Sequence, residues 1–340
     1  MPAKDAPDLV VGIDLGGSNM SIGVVDENGR VLGRAKRKTK ATLGLDAVLS
    51  RIVEGVLRAC ADANVTLGDV RLVGIGAPSG IDVPNGVVIR SGNLGWEDVP
   101  LRELLEQGVG RQVVVDNDVN VAAWGEYSIG AARGRRHALC VWVGTGVGGA
   151  LILNGELFHG TYWTAGEVGQ TIVAPNGPPG ASTLEQQCSK IGLWTAVRRL
   201  LPFHPNSVLH ALLREAVAED GGGDPMSPLG SSVLAKAYQQ DDELATKVID
   251  YSADVLGVAI ANWITVLAID TVVLGGGVTE ALGKPYVQRI RKSFERHVFP
   301  DVCRKCSLVT GQLGDDAGVI GAAMLARARA AQEVTSGNRT

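Results

Sequence analysis

One pattern occurs twice in this 340-residue chain and sets its architecture: an apolar run, a glycine-rich turn and a second apolar run closed by Asn-Gly. Its two copies are LVVGIDLGGSNMSIGVVDENG and ALCVWVGTGVGGALILNG. Asn-Gly beside apolar runs is a strong hairpin signal, so each copy predicts antiparallel strands joined by glycine-rich turns. Because the chain is also longer than one hydrophobic core usually serves, the sequence predicts two lobes.

Helical and strand patterns fill in both lobes. Apolar residues spaced by three and four from Leu45 to Cys60 predict an amphipathic helix, and RLVGIGAP and QVVVDND predict buried strands. The fold class that follows is α/β with mixed sheets. We expect an N-terminal lobe over residues 1–118, a larger C-terminal lobe over 119–314, a closing helix at about 315–332 that returns to the first lobe, and a flexible tail over 333–340.

Composition narrows the classes of partner. The net charge of −4 and the pI near 5.8 give no polycationic field, which argues against nucleic acid and anionic membranes as partners. The sequence has no signal peptide and no long apolar run, and its five cysteines are an odd number at scattered positions. These features predict a cytoplasmic protein with reduced thiols that binds a small molecule.

Three glycine clusters each follow an apolar strand, at residues 14–19, 144–149 and 275–277. Glycine lets the backbone approach a ligand and direct N–H groups at it, as phosphate sites require. Together the clusters favour a nucleotide cleft over simple tight turns. A strand follows Gly149 where a dinucleotide-binding fold needs a helix, and the chain lacks a Gly-Lys-Ser/Thr sequence, so Rossmann and Walker A sites are excluded.

Asp118 ends a predicted strand and begins a predicted helix, VNVAAWGEYSIGAA. Two roles are open for a carboxylate there. It can cap the helix, or it can act as a general base that takes a proton from a substrate hydroxyl attacking a γ-phosphate.

At these residues the chain resembles the ROK family (repressors, open reading frames, kinases) of sugar kinases. The resemblance runs from about Val10 to Ala330 and rests on DLGGSN, GIGAPSG, NLGW, DNDVNVAAWGE, GTGVGGALILNG, a GE-x-G loop, LGGG and GDDAGVIGAA in family order. It implies a two-lobed actin-like ATPase fold of the ribonuclease H-like type, with an interdomain cleft. It further implies a homodimeric, glucokinase-like enzyme that uses ATP and Mg²⁺ to convert glucose to glucose 6-phosphate.

The resemblance also implies roles for individual residues. Asp118 takes the position of the catalytic base, and Asp14 lies near Mg²⁺ with a water molecule between them. The remaining assignments are phosphate contacts by Gly16, Gly17, Ser18, Asn19, Thr145 and Gly146, adenosine contacts by Gly276 and Gly277, and sugar contacts by Asn93, Asn117, Glu167, Gln170 and Glu185.

One family feature is missing. Most members place a His and three Cys around this loop to bind structural zinc, whereas here Gln170 stands at the His position and no thiol lies between Gln170 and Leu184. Cys188 alone is not enough, because a closed zinc site needs four ligands. We therefore expect no zinc, and Pro175, Pro178 and Pro179 are candidates for stiffening the loop instead.

Several alternatives stay open from the sequence. The sugar can be fructose, mannose or an N-acetylhexosamine, and polyphosphate can replace ATP as the donor. A sugar-binding protein without catalysis is a second class. A sugar-responsive repressor is a third, and it is disfavoured because the phosphate motif begins within the first 20 residues, which leaves no room for a helix-turn-helix.

Overall fold

The computed structural model describes residues 8–177, 180–219 and 230–337. In chain order, its strands and helices are β1 (Leu9–Leu15), β2 (Asn19–Val25), β3 (Val31–Lys38), α1 (Leu45–Asp62), β4 (Val70–Ala77), β5 (Gly80–Asp82), β6 (Val87–Ser91), β7 (Trp96–Val99), α2 (Leu101–Val109), β8 (Gln112–Asn117), α3 (Asp118–Ser128), β9 (Ala138–Val143), β10 (Val147–Leu153), β11 (Glu156–Leu157), α4 (Leu184–Cys188), α5 (Lys190–Leu200), α6 (Leu209–Glu219), α7 (Ser231–Gln239), α8 (Glu243–Leu267), β12 (Thr271–Gly275), α9 (Gly277–His297), β13 (Ser307–Thr310) and α10 (Ala317–Gly337).

The chain divides into two compact units. The first comprises Met1–Arg136, Gly155–Ala165 and Gln312–Thr340, and the second comprises His137–Asn154 and Gly166–Gly311. The sequence places the boundary after Asp118, whereas the first unit continues to Arg136 because α3 packs against α10. In the described part of the chain, no helix is long and apolar enough to cross a membrane.

The first unit is built on a five-stranded mixed sheet in the order β3-β2-β1-β4-β8. β1 pairs antiparallel with β2 and parallel with β4, so the predicted opening hairpin and mixed sheet are confirmed. Apolar side chains on one face of the sheet pack with α1 and α2. The other face carries Val10, Val25, Leu72 and Val114, which pack against Val319, Ala323 and Ala326 of α10.

Two glycines allow α10 to lie very close to its neighbours. A Cβ atom on Gly12 of β1 would lie 1.9 Å from the carbonyl oxygen of Val319, and one on Gly321 would lie 1.7 Å from that of Val121 in α3. Real Cβ atoms do not approach backbone oxygen so closely, and glycine is therefore required at both positions. The contact also fixes α3, the helix that begins at Asp118.

The second unit contains another mixed sheet, with β10, β9, β12 and β13 side by side. β9 and β10 are antiparallel with the glycine turn between them, as the sequence predicts, and β12 lies parallel to both β9 and β13. Buried side chains of α4, α5, α8 and α9 share one apolar core with this sheet.

The end of the chain differs from the prediction in one respect. α10 continues to Gly337, where a flexible tail was expected from residue 333. Residues 338–340 of that tail lie outside the described residues.

Candidate functional site

The glycine turn after β1 is held from beneath by a buried threonine. The Gly16 N–H donates to the carbonyl oxygen of Asn19 at 2.9 Å, which closes the turn. Thr39 is fully buried, and its hydroxyl donates to the Gly16 carbonyl at 2.6 Å. The Thr39 N–H donates to the Ser18 carbonyl at 2.8 Å. The exposed residues Ser18 and Asn19 are thus presented on a rigid turn, as a phosphate site requires.

This turn lies next to a residue assigned to the sugar. A Cβ atom on Gly17 would lie 2.9 Å from Cβ of Asn93, so Gly17 lies against the base of the Asn93 side chain. Asn93 is exposed at that point. The structure therefore brings a predicted phosphate contact and a predicted sugar contact together within the first unit.

Asp14, the residue assigned to the Mg²⁺ site, lies near the end of β1. Its surroundings disfavour the ionised form of its carboxyl group. Burial, and then the negative charge of Asp315, raise its pKa from the usual 3.8 to about 6. A divalent cation would relieve both effects, because it supplies positive charge and takes carboxylate oxygen as a ligand. The pair therefore fits the expected Mg²⁺ site.

The raised pKa of Asp14 has a consequence for stability without Mg²⁺ and nucleotide. Asp14 binds a proton more tightly in the folded state than in the unfolded chain, so the contribution of this one group to stability falls as pH rises from about 4 to about 6. Asp14→Asn removes this penalty, and we expect it to raise the free energy of unfolding by about 3 kcal/mol at neutral pH. Urea unfolding at neutral pH and near pH 4 tests this, because the gain should vanish in acid. An equal gain at both pH values would contradict the assignment.

The turn between β8 and α3 carries Asn117 and Asp118. The Asn117 Oδ1 accepts hydrogen bonds from the N–H groups of Val119 at 2.8 Å and Asn120 at 3.1 Å, and its Nδ2 donates to the Ser79 carbonyl at 3.0 Å. Asn117 is therefore the N-cap, and Asp118 is the first residue of the helix. Asp118 is therefore not the N-cap residue, although its half-buried carboxylate accepts from the Val119 N–H at 2.9 Å.

Asp116 was not singled out from the sequence, yet it is the most enclosed polar group of this turn. Its fully buried carboxylate accepts from Asn120 Nδ2 at 2.8 Å, lies 2.8 Å from His159 Nε2 and pairs with Arg329. Burial alone would raise the pKa of Asp116, but the hydrogen bond to His159 and the positive charge of Arg329 outweigh it and hold the pKa below its usual value. The only signal in the sequence was the doubled acid of Asp116-Asn117-Asp118.

In the second unit, the glycine turn between β9 and β10 is built against Glu185. The Gly144 N–H donates to the Gly146 carbonyl at 2.8 Å, and the Val147 N–H donates to Glu185 Oε2 at 2.9 Å. A Cβ atom on Gly146 would lie 2.4 Å from the same oxygen, and Thr145 is exposed at the tip. The predicted phosphate turn and a predicted sugar carboxylate are thus neighbours.

Gln170 and Glu167 lie beside Glu185. Gln170 Nε2 donates to Glu185 Oε1 at 3.3 Å, so the residue at the family's His position still bonds to this carboxylate. Partial desolvation, and then the charge of Glu185, raise the pKa of Glu167. Two carboxylates that accept and an amide that can both donate and accept form a set suited to binding sugar hydroxyls.

The third glycine cluster follows β12. Gly276 precedes α9 and Gly277 is the first residue of that helix, with no neighbour in the space where its Cβ would be. The open N-terminus of α9 is consistent with the predicted adenosine contacts.

The loop that carries zinc in the resembled family is closed here by hydrogen bonds. The Leu184 N–H donates to the Thr171 carbonyl at 2.9 Å, and Thr183 caps α4. Burial raises the pKa of Cys188 to about 12 and its thiol donates to the Ser252 carbonyl, so it is a poor metal ligand. Among the described residues, no group of three or more His, Cys, Asp or Glu can hold a metal ion. Pro178 and Pro179 lie outside those residues.

If the loop holds no zinc, a metal chelator should not change the thermal stability of the protein. Zinc in a structural site contributes directly to folding, so removing it lowers the melting temperature. We expect a strong zinc chelator to leave the melting temperature of this protein unchanged, and elemental analysis to find far less than one zinc per chain. One zinc per chain, lost together with stability on chelation, would contradict this.

Comparison with known proteins agrees with this architecture. The profile described as ROK family matches residues 10–329. A glucokinase of Halalkalibacterium halodurans is 31% identical over 97% of this chain and 98% of its own, and one of Thermotoga maritima is 31% identical over 94% and 98%. A ROK family glucokinase from Streptomyces griseus, solved in complex with glucose and AMPPNP, is 32% identical and superposes with a TM-score of 0.80 over 94% of this chain and 99% of its own.

The class of protein follows from the fold and these turns. Two units on mixed sheets, each opened by a strand pair with a glycine turn, define an actin-like ATPase fold, and the structures of that fold match over nearly the whole chain. The chain belongs to the ROK family.

Proposed function

We propose that this protein transfers the γ-phosphoryl group of ATP to the 6-hydroxyl of glucose, giving glucose 6-phosphate and ADP. The observation that carries the proposal is the β8–α3 turn, where Asn117 is the N-cap of the helix and Asp118 follows as a half-buried carboxylate that is not needed for that role. The activities named for the relatives, including one solved with glucose and an ATP analogue, support the substrate pair.

In this mechanism the chain mainly positions and protects the reactants. Asp118 accepts the proton of the sugar 6-hydroxyl while the hydroxyl oxygen forms a bond to the γ-phosphorus. The bond from that phosphorus to the β,γ-bridging oxygen breaks, which releases ADP. Asn93, Asn117, Glu167, Gln170 and Glu185 hydrogen-bond the sugar, and the glycine turns after β1 and β9 hold phosphates. Mg²⁺ beside Asp14 would neutralise phosphate charge.

The proposal also covers the setting of the enzyme. The net charge of −4 supports small molecules rather than nucleic acid or membranes as partners. A cytoplasmic homodimer that needs no zinc follows from the family resemblance and from Gln170, and size-exclusion chromatography with light scattering tests the dimer.

The test is a coupled ADP-release assay with Mg·ATP and separate sugars: glucose, mannose, fructose, N-acetylglucosamine and N-acetylmannosamine. We expect the largest kcat/KM with glucose. A parallel series with polyphosphate as donor, read as glucose 6-phosphate formed, separates the two phosphoryl donors. A larger kcat/KM for another sugar would reassign the substrate, and no turnover with any sugar or donor would leave a binding protein as the better hypothesis.

A further inference from the structure

We propose that His159 is a positioning residue for phosphoryl transfer and acts through Asp116 on the turn that carries Asp118. The inference rests on the proposed function, because it concerns how the general base of that reaction is held. It assigns a task to a histidine that contacts none of the reacting groups named above.

The Asp116 carboxylate ties the turn together through both of its oxygens. Oδ1 accepts from the Asn117 N–H at 2.7 Å and from Asn120 Nδ2 at 2.8 Å, so it holds the turn on both sides of Asp118. Oδ2 lies 2.8 Å from His159 Nε2 and also pairs with Arg329. An ionised carboxylate only accepts, so His159 donates its Nε2–H.

His159 and Arg329 have different roles at Oδ2 of Asp116. Arg329 brings a permanent positive charge, which compensates the buried anion, and it also donates to the Val115 carbonyl at 3.2 Å. His159 brings a second, directed hydrogen bond from a separate chain segment. If His159 is lost, Arg329 still balances the charge, and the carboxylate loses only one of the bonds that fix its orientation.

The segment that contains His159 is itself held in place. The Ala165 N–H donates to the His159 carbonyl at 3.0 Å, and the His159 ring lies 5.5 Å from the Trp163 ring. The side chain of His159 is only 13% exposed, so the ring cannot swing freely into solvent. This closed loop fixes the imidazole, which in turn restrains Asp116 and the turn beside it.

Such a residue should affect the chemical step more than binding. A displacement of the order of 1 Å at a reacting group costs up to about 100-fold in rate, whereas substrate affinity depends on many other contacts. We expect His159→Leu, which cannot donate, to lower kcat about 10- to 100-fold while KM for glucose and ATP changes less than about 3-fold. His159→Gln, whose amide can donate to Asp116, should keep kcat within about 5-fold of wild type.

Three further measurements separate positioning from general loss of structure. His137→Leu is the matched control, because it removes a histidine hydrogen bond, to the Asn154 N–H, outside this network. The melting temperatures of all variants show whether the folded fraction has changed. Imidazole added to His159→Ala should raise its kcat, and it should not raise that of Asp118→Asn.

The outcomes divide clearly. Low kcat in His159→Leu with near-normal KM, recovery in His159→Gln and rescue by imidazole would support the inference. Wild-type kcat in His159→Leu, or equal loss in the Leu and Gln variants, would overturn it while leaving the proposed function intact. An inactive wild-type enzyme would overturn the proposed function, and the positioning role with it.

Discussion

Asp118→Asn is expected to lower kcat about 10²- to 10⁴-fold, the usual contribution of a general base. The amide has the shape of the carboxylate but cannot accept the proton of the attacking hydroxyl. The turn should keep its structure, because Asn117 remains the N-cap and the Asp116 carboxylate still accepts from the Asn117 N–H. Glucose binding, measured by calorimetry, should therefore change little while turnover in the coupled assay is nearly abolished.

The matched control is Asp46→Asn, which makes the same change in charge at an exposed position in the first turn of α1. It should leave kcat and KM at wild-type values. If Asp118→Asn kept more than about a tenth of wild-type kcat, the residue would fall outside the range expected of a general base. The proton would then have to leave by another route.

Gly321→Ala is expected to give the largest loss of stability, about 3 kcal/mol, with failure to accumulate as folded protein if relaxation is poor. The new methyl group would lie 1.7 Å from the Val121 carbonyl oxygen, and backbone on both helices would have to separate. Because α3 begins at Asp118, the surviving folded protein should also lose activity. Urea unfolding followed by tryptophan fluorescence measures the stability change.

Gly92→Ala is the matched control for this change. Gly92 has no atom near its Cβ position and an ordinary backbone conformation, so its variant should unfold at the wild-type urea concentration. A loss below about 1 kcal/mol in Gly321→Ala would mean that α3 and α10 can separate at little cost. The tight packing would then not be what fixes the catalytic turn.

Local patterns in the sequence predicted much of the fold. Both glycine-turn strand pairs form as expected, because turn chemistry and apolar runs act over a few residues. The small sheet of β5, β6 and β7 was not predicted, since its strands are three to five residues long and lack a clear alternation. The first unit extends past residue 118 because α3 packs on a helix far along the chain, and no local pattern reports such a contact.

The candidate site shows the same limit. Motifs and family resemblance supplied Asp118 and the glycine turns, but the neighbours of those residues come from distant parts of the chain. Asp116 meets His159 from 43 residues away and Arg329 from 213, and neither partner is marked by spacing. The sequence also left open whether Asp118 caps α3. In the structure, the Asn117 side chain accepts from the N–H groups of Val119 and Asn120 and is the N-cap.

The position of α10 has a consequence for synthesis on the ribosome. The strands of the first unit emerge early, but the helix that covers one face of their sheet follows the whole of the second unit. Until Ala317 and the residues after it leave the ribosome, Val10, Val25, Leu72 and Val114 lack their apolar cover. We therefore expect the second unit to fold first, and chains stalled before α10 to be the species most prone to aggregate and to bind chaperones.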